Sequence, residues 1–109
     1  MVLVARAATT SDIFNAIAEP RRRDILALLA FEERSVGDLV AALDAPQPSI
    51  SKHLRVLSHV GLVNARRDGK RVLYRTNAEA IKPLHDWTST FLQLWTNQLK
   101  RVKTRAEAK

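Results

Sequence analysis

Apolar residues recur three and four places apart over most of the chain, with one interruption where they alternate instead. Ile13, Phe14 and Ile17 fall on one side at helical spacing, and Thr10 or Ser11 can cap the helix they predict. Pro20 suits the first turn of a new helix and pushes Glu19 out of helical geometry, so the first helix is expected to stop at about Ala18 or Glu19. The second runs from Pro20 to about Phe31, with Ile25, Leu28 and Leu29 as its buried stripe and Leu26 beside them. Arg21, Arg22 and Arg23 crowd its first turn, the unfavourable end of the helix dipole for cations. That arrangement suggests a carboxylate or phosphate partner, or a solvated face near Glu19 and Asp24.

Glu32-Glu33-Arg34 is a polar link. Ser35, with Asp38 three places on, approximates a capping box for a third helix whose apolar face is Leu39, Val40 and Leu43. Asp44-Ala45-Pro46 ends it, and a fourth helix covers about Gln47 to Val60, closed by Gly61. Beyond Gly61 the period drops to two. Leu62 to Arg67 and Lys70 to Thr76 read as short strands around Asp68-Gly69, a favoured hairpin dipeptide. Val72 and Tyr74 alternate with Arg71, Leu73 and Arg75, which predicts one partly apolar face. Asn77 can cap a last helix from about Ala78 into the 100s, with Pro83 near its start. Ile81, Leu84, Thr88, Phe91, Trp95 and Val102 recur along it, and Trp87, Leu94 and Leu99 widen the stripe.

No repeat or linker divides the 109 residues, so one domain is expected: an N-terminal arm over 1–10, a folded unit over 11–103 and a basic, fraying tail over 104–109. The fold class is mainly α with a small β-hairpin. The chain has no cysteine, which removes disulfides, thiolate metal ligands and cysteine nucleophiles together and fits a cytoplasmic setting. The opening residues MVLVARAATTSD lack a basic region before their apolar ones, and no apolar run approaches the ~20 residues of a membrane span. A formal net charge of +7 argues for an anionic partner: nucleic acid, an anionic membrane surface or an acidic protein.

The third and fourth helices, separated by a turn of a few residues, read as a helix-turn-helix. At about 100° per residue, Ile50, Leu54 and Leu57 cluster on the core face of the fourth helix, with Val60 at their border. Pro48, Ser51, Lys52, Arg55 and His59 fall opposite, and Gln47 and Ser49 flank that surface at the helix start. A helix entering the major groove needs short polar side chains where it meets base edges and cations where phosphates pass. Gln suits adenine and Ser suits any base. Ser49 and Ser51 can alternatively serve only as N-terminal caps. The hairpin adds Arg66, Arg67, Lys70, Arg71 and Arg75 around one turn, a loading that suits a phosphate backbone.

Helix-turn-helix plus basic hairpin reads as a winged helix. The stretches FNAIAEPRRRDILALLA, SVGDLVAAL and QPSISKHLRVLSHVGLVNARRDGKRVLYR, with the long helix after them, resemble the ArsR/SmtB family of bacterial winged-helix repressors from about residue 11 to 103. The family block S-x-x-S-K-H-L-x-x-L-x-x-x-G-L-V is present except for its first Ser, where a proline stands, and the R-x-G-K-x-x-x-Y wing runs from Arg67 to Tyr74. The resemblance implies a homodimer assembled through the first and last helices that represses transcription from double-stranded DNA. By position it implies that Gln47, Pro48, Ser49, Ser51 and Lys52 face the major groove, and that Arg66, Arg67, Lys70 and Arg71 hold the flanking backbone; Arg55, on the same outer face by helical angle, is expected to join the DNA contacts. His53 matches the motif but borders the core face, so it reads either as a support or as a DNA contact. Ile13, Phe14, Ile17, Leu84, Trp87, Phe91, Leu94 and Trp95 are the expected dimer seam.

Many members of this family sense metals through paired Cys, or through His and acidic pairs in the last helix. Here the histidines are His53, His59 and His85, and His85-Asp86 is the only suggestive pair. Adjacent helical residues do not face each other, so no metal or other cofactor is expected. No Ser/His/Asp arrangement, phosphate loop or carboxylate cluster points to catalysis. The expected function is a DNA-binding transcriptional regulator. The alternatives are a metal- or small-molecule-gated sensor of the same fold, with effector unknown, and a winged-helix module that docks an acidic protein.

Overall fold

The computed structural model describes residues 9–107. Five helices and one hairpin follow in the order α1 (Thr10–Ile17), α2 (Pro20–Leu28), α3 (Val36–Leu43), α4 (Gln47–His59), β1 (Val63–Asp68), β2 (Arg71–Thr76) and α5 (Ala78–Glu107). Of the expected arm over 1–10, residues 1–8 lie outside the described part; Thr9 and Thr10 open α1 instead.

Capping decides where the first and third helices start. Thr9, rather than Thr10 or Ser11, caps α1: its hydroxyl accepts from the Asp12 N–H at 3.2 Å, and the Asp12 carboxylate accepts from the Thr9 N–H at 2.9 Å. Only Thr9 has an acid three places on with which to close this reciprocal box. Ser35 and Asp38 form the same box at α3, at 3.1 and 2.9 Å. Hydrogen bonding by Ser35, first through its backbone N–H and then through its side chain, holds the Asp38 carboxyl below its ordinary pKa.

Helix α2 stops at Leu28, short of the expected Phe31, because other elements claim its last carbonyls. The Leu28 carbonyl accepts from Arg34 Nε at 3.4 Å and the Leu29 carbonyl from the Thr76 N–H at 3.0 Å. The Thr76 hydroxyl donates to the Leu26 carbonyl at 2.8 Å. The three arginines at the start of α2 meet mostly neighbouring helix ends rather than an external anion. Arg23 Nη1 donates to the Ile17 and Ala18 carbonyls at 2.7 and 3.2 Å, and Arg21 Nη1 to the Leu43 carbonyl at 3.3 Å. Cations that are badly placed for their own helix dipole thus sit well for the C-terminal ends of α1 and α3.

Between α3 and α4, Asp44 adopts a left-handed conformation at φ 49° and turns the chain within three residues. Gly61, at φ 81°, closes α4 and sends the chain into β1. The strands pair antiparallel from Val63↔Thr76 to Asp68↔Arg71, leaving Gly69 and Lys70 as the loop, with Gly69 at φ 62°. Arg34 bridges Tyr74 through two backbone hydrogen bonds, 3.1 and 2.9 Å, and fastens the hairpin to the chain before α3. This third pairing changes the expected facing of β2. Tyr74 packs on the core, but Val72 stays exposed, and Leu73 beside the bridge is buried.

The core gathers Ile13 and Ala16 from α1, Ile25, Leu26 and Leu29 from α2 and its end, Leu39 from α3, Ile50, Leu54 and Leu57 from α4, and Leu62 and Val63. Helix α5 buries no residue; Ala80, Ile81 and Leu84 alone pack against this cluster, all near its start. It then continues as helix to Glu107, through most of the expected tail, with Lys103 and Glu107 pairing at 3.9 Å one turn apart.

Candidate nucleic-acid interface

Helix α4 is held on its inner side by Ile50, Leu54 and Leu57, which leaves Gln47, Pro48, Lys52 and Arg55 on its outer face to solvent. Its N-cap is Pro46, and no side chain caps the helix. Ser49 and Ser51 therefore do not act as caps; both are half-buried, while Gln47, Pro48, Lys52 and Arg55 are exposed. Gln47 Nε2 reaches only to Ser51 Oγ at 3.5 Å, a loose contact that a base edge can replace. A depression between Ser51, Arg55 and Ser58 on α4 and Tyr74 on β2 joins the helix surface to the wing.

His53 resolves toward its inner neighbour. Its Nε2 lies 3.7 Å from Glu19 Oε2, and the same carboxylate oxygen accepts the Arg22 N–H at the start of α2 at 3.1 Å. His53 thus lies on the inner side of α4, beside the α1–α2 junction.

The wing cations divide into two groups. Arg66 makes a two-point ion pair with Glu33 at 2.6 and 3.0 Å. That hydrogen bonding lowers the Glu33 pKa and raises that of Arg66. Arg67, Lys70 and Arg71 form no salt bridge or side-chain hydrogen bond among the described residues, and all three are exposed. The pairing of Arg66 could not be read from sequence, since Glu33 lies thirty-three residues earlier and meets it only after the hairpin folds back.

The expected dimer residues separate in the same way. Ile13 is buried at 6% exposure in the chain's own core and has no surface to offer a partner. Ile17 and Leu84 pack half-buried against that core. Phe14 meets Trp87 edge-on at 5.3 Å, Trp87 meets Phe91 at 5.2 Å and Phe91 stacks on Trp95 at 6.4 Å. This aromatic ladder leaves Trp87, Leu94 and Trp95 about half exposed. Leu92, Leu99 and Val102, absent from the expected seam, are more exposed still.

His85 and Asp86 do approach, Nδ1 to Oδ1 at 3.3 Å, despite being adjacent on the helix. The short Asp side chain can bend back along the helix surface. Among the described residues no three His, Cys, Asp or Glu side chains gather as a metal site, and no helix is long and apolar enough to cross a membrane.

The sequence model for bacterial regulatory proteins of the arsR family matches residues 19–65, from the α2 cap through the recognition helix into β1. The transcriptional repressor SdpR of Bacillus subtilis is 30% identical over 89 residues, 82% of this chain and 99% of SdpR. Other curated relatives match over shorter stretches, which span from 47% to 75% of their length. An ArsR-like transcriptional regulator from Rhodococcus sp. RHA1 superimposes with a TM-score of 0.68 at 25% identity, over 91% of each chain. The solution structure of a homodimeric winged helix-turn-helix DNA-binding domain from Mycobacterium bovis gives 0.65 at 32% identity, over 75% of this chain and 79% of that one. The chain belongs to the arsR family of winged helix-turn-helix transcriptional regulators, which are not enzymes.

Proposed function

We propose that the protein is a cytoplasmic repressor that binds a pseudo-palindromic operator as a homodimer. The observation that carries this reading is the pairing of two free surfaces on one chain. One is the polar outer face of α4 beside the unpaired Arg67, Lys70 and Arg71. The other is the exposed apolar stripe of α5. The first supports contact with a duplex, and the second supports assembly with a second copy, which sets two recognition helices about 34–36 Å apart. The repressing direction and the homodimer draw support from SdpR and from the Mycobacterium bovis domain.

Gln47 and Ser51 carry base readout in this proposal, with Pro48, Ser49 and Lys52 beside them at the groove. Arg55, Arg67, Lys70 and Arg71 take phosphates, His53 supports α4 from behind through Glu19, and Arg66 holds the wing through Glu33. The test is fluorescence anisotropy on the DNA upstream of the gene, with random DNA as competitor. Binding should survive the competitor and, with roughly 6–10 phosphate contacts per dimer, weaken by about 10³–10⁵ between 50 and 200 mM salt. Equal binding to upstream and random DNA, or a salt response near zero, overturns the reading.

A further inference from the structure

We propose that the groove between α1, α2 and α5 is an effector site for a small anionic amphiphile, a carboxylate on a medium-length aliphatic chain. The effector role rests on the DNA-binding function proposed above; the site itself does not.

The groove encloses about 380 Å³ among Ile17, Leu26, Ala27, Ala30, Ile81 and Leu84. That volume stands at the small end of the ~300–1,000 Å³ usual for ligand pockets and suits one slender chain. Among the described residues no aromatic ring and no carboxylate lines it, which disfavours flat aromatic ligands and cations.

Such pockets orient their ligand with a few polar groups, and Arg23 supplies them. It is the one charged side chain along the groove among the described residues. Its Nη1 donates to the Ile17 and Ala18 carbonyls at 2.7 and 3.2 Å, which holds the guanidinium in place. Its Nε and Nη2 make no hydrogen bond or ion pair among the described residues. These two nitrogens form the edge that Arg66 presents to Glu33, and a carboxylate accepts two parallel N–H bonds from it. Ala78 lines the groove too, which brings the positive end of the α5 dipole to the same place. Arg23 is exposed, so its pair with an anion sets orientation, while the buried chain supplies most of the affinity.

The groove also touches the base of the wing. Thr76 ends β2 and lines the groove beside Leu26. Its hydroxyl donates to the Leu26 carbonyl at 2.8 Å and its N–H to the Leu29 carbonyl at 3.0 Å. Asn77, next in the chain, donates from its backbone to the Leu62 carbonyl at 2.8 Å and from Nδ2 to the Gly61 carbonyl at 3.1 Å. A chain lodged between α2 and α5 bears on the contacts that set the wing against α2 and against the end of α4. Occupancy favours the arrangement with these contacts loosened, so ligand weakens DNA binding and DNA weakens ligand binding by the same factor.

Isothermal titration calorimetry of the full chain with hexanoate, octanoate and decanoate reads the site without DNA. Affinity should rise about 3- to 4-fold per added methylene. The neutral 1-octanol should bind about 10-fold more weakly than octanoate, and Arg23→Gln should remove that difference. Ala27→Trp, at an exposed position, should abolish binding by filling the groove. Saturating octanoate should weaken operator binding about 5-fold or more in the anisotropy assay. Equal affinity for octanoate and 1-octanol, no dependence on chain length, or full binding in Ala27→Trp overturns the site. Binding confined to monomeric protein shows that a second copy fills the groove, and overturns it too. Octanoate binding that leaves operator affinity unchanged overturns the effector role. Octanoate binding by a chain that fails to bind its upstream DNA upholds the site and removes the function proposed above.

Discussion

Arg66 of the wing and Glu33 of the α2–α3 link meet in a two-point ion pair, Nε to Oε2 at 2.6 Å and Nη2 to Oε1 at 3.0 Å. Arg66 is 57% exposed and Glu33 28%, so the pair sits at the surface, where its value lies in geometry more than in strength. It fixes the hairpin to the body on the strand opposite the Arg34–Tyr74 bridge. Two attachments, one through backbone and one through side chains, set the direction in which Arg67, Lys70 and Arg71 project.

The slope of log affinity against log salt counts the phosphates that a protein neutralises. Arg67→Ala, Lys70→Ala and Arg71→Ala are each expected to lower that slope by about 0.9 per site. Arg66→Ala should leave it near wild type, because Glu33 already occupies the guanidinium. Glu33→Gln should steepen it by a similar amount, since Arg66 is released toward the backbone. Were Arg66→Ala to flatten the slope as much as Arg67→Ala does, DNA would be shown to draw Arg66 off Glu33.

Base readout is expected to concentrate at Gln47. It is exposed at the first position of α4, and its one contact inside the protein is the 3.5 Å approach to Ser51. Gln47→Ala should reduce the preference for operator over random DNA by about 1–3 kcal/mol with little change in salt slope. An unchanged preference would take Gln47 out of the readout.

The helix-turn-helix was legible because each of its parts is a local rule: the Ser35/Asp38 box, the three-residue turn, the apolar spacing of Ile50, Leu54 and Leu57, and Gly61. What stayed hidden depends on contacts distant in sequence. The stop of α2 at Leu28 is set by Arg34 and by Thr76 of β2. The burial of Leu73 accompanies a third pairing that the alternation of β2 does not encode. Arg21 and Arg23 looked unpaired because their acceptors are the carbonyl ends of other helices. Ile13 illustrates a related limit: the same apolar spacing describes a residue turned to its own core and one turned to a partner, and only packing tells them apart.

Stability should fall on the acid side. Hydrogen bonding by Ser35, its backbone N–H foremost, lowers the Asp38 pKa, and Arg66 lowers that of Glu33. A carboxyl depressed in the folded state contributes its full stability above its unfolded pKa and loses it as pH drops through the folded value, because the unfolded chain takes up the proton first. Urea unfolding at fixed protein concentration, from about pH 7 downward through the carboxylate range, should show this limb. Ser35→Ala should cost about 1 kcal/mol near neutrality and flatten the limb only in part, since the backbone N–H that contributes most to the Asp38 shift remains. An acid limb of wild-type steepness in both Ser35→Ala and Glu33→Gln would assign the loss to other carboxylates.

Trp95 tests the seam without touching the protomer. It is 54% exposed, its ring contact among the described residues is the 6.4 Å stack on Phe91, and it lies outside the core. Trp95→Lys should therefore keep the helix content and the two-state unfolding of the body. It should also set like charges against each other across a two-fold interface and shift the protein to monomer at concentrations where wild type is dimeric. Each recognition helix then binds its half-site alone, and the linked gain from occupying two half-sites together, on the order of 10²–10⁴ in affinity, disappears. The salt slope should halve with it, because half the phosphate contacts are made per binding event. Wild-type Trp emission should move to shorter wavelength as concentration rises through the dimer transition, since Trp87 and Trp95 pass from water into the seam. Emission that stays fixed across that range, with Trp95→Lys binding the operator at wild-type strength, would move assembly to another face of the molecule.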